Sequence, residues 1–158
     1  MTSTQKSAEP IAKDAAQRQK AMGLLAKASR AELQAAFEAL ENKPAVQPVR
    51  GPETGLVMVR GRIGGGGAPF NLGEATVTRA SIRLEDGTVG HGQSLGTDGA
   101  KAQLAAIFDA LFQQPARKTE VDTLLETIAA RGAEEDAAKA RQTAATRVDF
   151  FTMVRGED

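Results

Sequence analysis

With 158 residues the chain fits one domain, and its 20 Lys plus Arg against 20 Asp plus Glu leave none of the basic excess that nucleic-acid or anionic-membrane binding selects for. It has no cysteine, which removes disulfides, thiolate nucleophiles and cysteine-based metal sites, and it has no run of about 18 apolar residues that would cross a membrane. Alanine supplies 29 of its hydrophobic residues and Val, Ile, Leu, Met and Phe only 36, so the private core is thin and two readings stand: an Ala-rich independent domain, or a subunit completed by another chain.

Residues 1–10 read as a loose polar start without the apolar centre of a signal peptide, so a cytoplasmic protein is expected. The rest, 11–158, reads as a single α+β domain. Residues 11–42 form a helical pair. Ser29 and Glu32 stand at capping-box spacing, the hydroxyl accepting the N3 amide while the carboxylate returns to the cap amide. Leu33, Ala36, Phe37 and Leu40 follow on one face. The second helix is acidic, which argues against a DNA-reading helix-turn-helix.

Residues 45–96 carry the antiparallel sheet, with strands near 45–50, 55–63, 70–84 and 88–95. Pro44, Pro48 and Pro52 keep the approach extended. In the strand from Gly55, Val57, Val59, Gly61 and Ile63 point one way and Leu56, Met58, Arg60 and Arg62 the other. Apolar residues on both sides suggest an inner strand. Asp86-Gly87 between two alternating runs predicts a two-residue type I′ hairpin. That turn would pair Leu84 with Val89, Ile82 with His91 and Arg79 with Ser94. It puts Thr78, Ala80, Ile82 and Leu84 beside Val89, His91 and Leu95 on one face, and Arg79, Ser81 and Arg83 beside Gly90, Gly92 and Ser94 on the other.

Residues 98–147 read as helices. Thr97 or Asp98 can cap the first, and Leu104, Ile107, Phe108, Leu111 and Phe112 form its apolar stripe, expected to lie on the buried face of the hairpin. Pro115 stops it. A further helix starts near Thr119 with Val121, Leu124, Leu125 and Ile128 on one face, and Gly132 is expected to interrupt it. Residues 133–147 carry little larger than alanine, as an arm toward a neighbour or as an exposed terminal helix would. The end, 148–158, is an apolar tail: Phe150, Phe151, Met153 and Val154 must bury in the chain's own core or in a partner's groove.

Candidate chemistry is sparse. Gly64, Gly65, Gly66 and Gly67 would let backbone amides approach an oxyanion, yet they lack the G-x-x-x-x-G-K-[ST] pattern and precede a strand rather than a helix. A hairpin loop fits them better. Arg79 and Arg83 could clamp a phosphate or phosphonate, joined by Arg60 and Arg62 if the strands adjoin, or they could pair with acids such as Glu74 and Glu85. The single histidine, His91, excludes His-pair metal sites and reads as a buried structural residue more readily than as a base. No catalytic constellation and no metal site emerge, and no cofactor is expected on this chain alone.

The phrases ETGLVMVRGRIGGGG, FNLGEATVTRASIRLEDGTVGHG and RVDFFTMVRGE resemble the PhnG family, the G subunit of the bacterial carbon-phosphorus lyase core complex. The resemblance implies an accessory subunit of a hetero-octamer containing two copies each of the G, H, I and J subunits. It also implies a reaction in which the complex, with MgATP as substrate, attaches an alkylphosphonate to C1 of the ATP ribose and releases adenine. The nucleosidase chemistry would belong to the I subunit and the iron-sulfur radical chemistry to the J subunit. Alone, the chain would be a monomer or a homodimer.

Overall fold

The structure is a computed structural model and describes residues 8–62 and 67–145. The elements run α1 (Ala8–Lys27), α2 (Arg30–Ala39), β1 (Val46–Gly61), β2 (Phe70–Leu84), β3 (Val89–Leu95), α3 (Gly99–Phe112) and α4 (Lys118–Ala145), the α+β arrangement expected from the alternation. Helix α1 begins at Ala8, three residues before the predicted start. Gly64, Gly65, Gly66, Phe150, Phe151, Met153 and Val154, and with them most of the glycine run and the apolar tail, lie outside the described residues.

The sheet has three antiparallel strands in the order β1-β2-β3. The segments predicted near 45–50 and 55–63 are one long strand, because register shifts at Pro48/Arg50 and Arg50/Glu53 absorb the extra residues around Pro52 as bulges. That strand sits at the edge, not inside. Large apolar residues are exposed on both of its sides, Leu56 at 64% on one and Val59 at 40% on the other, with Val57 half-buried, so two-sided hydrophobicity here marks a largely uncovered strand.

The hairpin differs from its expected form by one residue. Leu84 N–H donates to Thr88 O at 2.9 Å, Gly87 N–H donates to Leu84 O at 3.0 Å, and Gly87 has φ 87°. The loop is therefore Glu85-Asp86-Gly87, a turn followed by a left-handed glycine, held by Thr88 N–H on Asp86 Oδ1 at 2.9 Å. The register becomes Ile82↔Gly90, Ser81↔His91 and Thr78↔Ser94. A one-residue slip turns every side chain of a strand over. Gly90, Gly92 and Ser94 are thus buried, while His91, Gln93 and Leu95 are exposed, the reverse of the expected β3 faces. The β2 faces are as predicted, with Thr78, Ala80, Ile82 and Leu84 inside.

Helix packing explains why this register wins. A Cβ on Gly92 would run into Ala102 O and Ala106 N, and one on Gly90 into Ala106 O, with Ala110 N at 2.7 Å. The backbone of α3 lies directly on the two glycines, and only a face without side chains permits that approach. Asp98 caps α3 through Lys101 N–H at 2.9 Å. Its alanine side, Ala102, Ala106 and Ala110, meets the sheet, while Leu104, Ile107, Phe108 and Leu111 join Leu25, Leu33, Val121, Leu125 and Ile128 in the core cluster. The bulky stripe predicted to meet the hairpin chiefly meets the other helices, and α3 is the middle layer.

The expected capping box is present: Glu32 N–H donates to Ser29 Oγ at 3.1 Å and Ser29 N–H to Glu32 Oε2 at 2.6 Å. Arg131 of α4 reaches the same junction, with Nε on Glu32 Oε1 at 2.6 Å and Nη2 on Lys27 O at 3.1 Å. Helix α4 continues through Gly132 without a break. One glycine costs a helix about 1 kcal/mol, less than this anchoring and the neighbouring burial of Ile128 return.

Candidate functional site: the uncovered face of the sheet and its overhanging ribbon

Among the described residues helices cover only one face of the sheet, and the other face carries the polar side chains singled out from the sequence. On β2 these are Arg79, Ser81 and Arg83. They lie opposite Glu53, Arg50 and Gln47 of β1 and Gln93, His91 and Val89 of β3. Ser81 Oγ and His91 Nδ1 are 2.8 Å apart. The ring's Nδ1 is thus engaged with the hydroxyl on an exposed residue. A nucleophilic triad needs a carboxylate behind the ring, and none of the bonds to His91 is of that kind.

Beneath this face lies a residue that the sequence reading missed. Asp109 of α3 is fully buried. Its Oδ1 accepts Arg18 Nε at 2.9 Å and its Oδ2 accepts Arg18 Nη2 at 2.7 Å, while Oδ2 also accepts the His91 backbone N–H at 2.8 Å. One carboxylate therefore ties α1, α3 and the centre of β3 together, and the hydrogen bonds that Arg18 donates to Asp109 raise the Arg18 pKa above its ordinary value. A forked pair of this kind satisfies a buried charge that would otherwise be costly. The signal was available: Asp109 is the only charged residue between Leu104 and Phe112, and an acid inside such a stripe requires a partner.

The arginines divide into two groups. Glu53, directly opposite Arg79, is taken by Arg50 at 2.6 Å, a hydrogen bond that also lowers the Glu53 pKa. Among the described residues Arg79, Arg83, Arg60 and Arg62 have no ion pair or side-chain hydrogen bond, so cross-strand pairing with acids such as Glu74 and Glu85 is not made within the chain, and pairing with acids of another subunit is the other half of that expectation. Arg60 pairs in register with Asn71. Eight residues separate Asn71 from Arg79, about 26 Å at strand rise, so Arg60 and Arg62 do not join the other two. Gly67 is exposed in the loop just before β2.

Between the two groups the β1–β2 ladder leaves the body. Strand β3 pairs with β2 only from Val77 to Arg83, whereas β1 follows β2 out to Phe70. At the root Thr78 Oγ donates to Gly96 O at 2.7 Å and meets Thr54 Oγ at 2.9 Å, linking β1 and β2 to the turn after β3. Beyond it Gly55–Gly61 and Phe70–Thr76 form a ribbon exposing Leu56, Met58, Val59, Phe70 and Leu72. The cleft beside Arg79, lined also by Arg50, Glu53 and Ser81, is a small surface groove of ≈ 230 Å³, below the usual range for a ligand pocket. Among the described residues no group of three or more His, Asp or Glu could hold a metal, and no helix is long and apolar enough to cross a membrane.

Comparison with known proteins gives this surface its context. A curated protein of Rhizobium meliloti (strain 1021), named alpha-D-ribose 1-methylphosphonate 5-triphosphate synthase subunit PhnG, is 67% identical over 143 residues, covering 90% of this chain and 92% of its own length. The family model described as phosphonate metabolism protein PhnG matches residues 16–156. Bearing that family's sequence from the middle of α1 to the tail, the chain belongs to the PhnG family of phosphonate metabolism proteins.

Proposed function

We propose that this chain is the accessory subunit of an α-D-ribose 1-methylphosphonate 5-triphosphate synthase in the cytoplasm, working with H, I and J subunits in a core that contains two copies of each. The assembled enzyme would use MgATP and an alkylphosphonate, placing the phosphonate on C1 of the ribose and releasing adenine. The observation that carries the accessory role is the ribbon, where Leu56, Met58, Phe70 and Leu72 are each more than 40% exposed on a two-stranded element too thin to bury them itself. The name of the relative, a subunit of alpha-D-ribose 1-methylphosphonate 5-triphosphate synthase, supports that reading. Purified with the I subunit the chain should form a stable complex, and deletion of Val148–Asp158 should abolish it. Wild-type affinity after the deletion would remove the tail from the interface.

A second reading follows from Arg79 and Arg83, without an ion pair among the described residues, which flank Ser81 and His91 on an exposed face where guanidinium groups can take a phosphate of ATP or the phosphonate. Replacing both with alanine in an assembled complex should raise the KM for that substrate about tenfold or more with kcat little changed. Unaltered kinetics in an intact complex would exclude this role.

A further inference from the structure

Resting on the reading of Arg79 and Arg83 as anion holders, we infer that Ser81 and His91 between them complete a proton-gated site for one dianionic tetrahedral group. The group is the phosphonyl end of an alkylphosphonate or the terminal phosphoryl of a nucleoside triphosphate, and it binds when the His91 ring is protonated.

Register brings the four side chains together. Ser81 lies opposite His91 across the β2–β3 ladder, and Arg79 and Arg83 stand two residues to either side of Ser81. Both are therefore diagonal neighbours of the ring, about 7–8 Å away and within reach of long side chains. The His91 N–H is spent on Asp109 Oδ2 at 2.8 Å, so it points away from β2, and the Ser81–His91 pair is of the closer, non-hydrogen-bonded kind. His91, Arg79 and Arg83 are exposed and Ser81 is half-buried. The groove that Arg79 and Ser81 line with β1 holds ≈ 230 Å³, less than a drug-sized ligand needs and in scale with a single tetrahedral group.

The surrounding charges leave this face cationic. On β1, Arg50 and Glu53 neutralise each other at 2.6 Å. At the strand's other side, Arg18 of α1 neutralises Asp109 of α3. Glu85 and Asp86 stand beyond Arg83 at the hairpin turn, where Asp86 is bonded to Thr88 and Gln114. Among the described residues neither Arg79 nor Arg83 has a carboxylate partner.

The gate is the 2.8 Å bond between Ser81 Oγ and His91 Nδ1. A neutral imidazole always keeps one bare nitrogen. A bare Nδ1 takes the only hydroxyl proton and leaves the serine nothing to donate; a bare Nε2 offers the anion a lone pair. Protonation removes both obstacles. Nδ1–H then donates to Oγ, the hydroxyl proton is free for the ligand, Nε2–H is a second donor, and the imidazolium joins two guanidinium groups. Such charge-assisted bonds are about twice as strong as neutral ones. Linkage requires that an anion preferring the protonated ring strengthen the ring's hold on its proton by the same factor.

His91 is the chain's only histidine, so its ring signals in NMR of the full chain report the titration without ambiguity. Sulfate keeps a constant double charge across the range of about pH 5 to 8 in which imidazoles titrate, and methylphosphonate and MgATP separate the two sources of the group. Sulfate should bind about tenfold tighter at about pH 5.5 than at about pH 8, and a saturating ligand should let the ring keep its proton to about one pH unit higher. Whichever of methylphosphonate and MgATP has the larger effect names the source. His91→Gln should leave sulfate binding weak and independent of pH. Binding that needs Arg79 and Arg83 but ignores pH, with the ring unmoved, overturns the gate while the two arginines stand as anion holders; binding of no probe overturns both. Sulfate binding with neither methylphosphonate nor MgATP marks an adventitious ion only and overturns the site.

Discussion

Two halves of the same ladder behave as different materials. Over Thr78–Leu84 strand β2 has β3 on one side, β1 on the other and α3 above, and its inward residues Thr78, Ala80, Ile82 and Leu84 are all buried. Over Phe70–Thr76 the same strand keeps the same alternation with β1 alone, and its large apolar residues stand in solvent. Periodicity thus states which residues share a face, and it does not state whether the chain itself supplies the cover.

The contrast predicts where substitutions unfold the protein and where they only separate it from its neighbours. Phe108→Ala, in the centre of the helical core, should cost about 3–5 kcal/mol and lower Tm by roughly 10 °C, read by thermal unfolding. Asp109→Ala should cost about 3 kcal/mol or more, since it strands the Arg18 guanidinium and the His91 amide. Gly92→Ala should cost about 1–3 kcal/mol, as α3 must lift from β3; unchanged stability would mean that the close seat is not required.

Glu32→Gln should cost about 1 kcal/mol at neutral pH, as lost caps do. Burial pushes the Glu32 carboxyl up, but hydrogen bonds from Arg131 and from the amide and hydroxyl of Ser29 outweigh it and leave the pKa below the ordinary carboxylate range. A lowered folded pKa means that this stability is present above about pH 4.3 and is lost as pH falls through the folded value. The Tm gap between wild type and variant should therefore close in acid. Leu56→Ser with Met58→Ser should change Tm least, by less than about 0.5 kcal/mol in stability, while binding to partner subunits, read by co-purification, falls sharply.

Much of the fold was legible. Capping box, hairpin, α3 cap and helical stripes all follow from local chemistry, and the β2 faces came out as read. The β3 faces did not, because Asp-Gly serves both a two-residue turn and a three-residue turn closed by a left-handed glycine. The arbiter is the helix that needs Gly90 and Gly92 beneath it, a contact distant in sequence. His91 moved from core to surface with that single step. At the candidate site the arginines were found, but their separation depends on strand register, and Asp109 passed unnoticed inside an apolar helix.

The outer edge of β1 has a further consequence. Between Val46 and Glu53 it is broken by Pro48, Pro52 and two register shifts, which spoil it as a template for additional strands. From Thr54 to Gly61 no proline interrupts it, and there its unpaired backbone and bare apolar side chains coincide. Chains made in excess of whatever covers this stretch would adhere to one another strand by strand, so balanced synthesis with the neighbouring subunits protects solubility as well as stoichiometry.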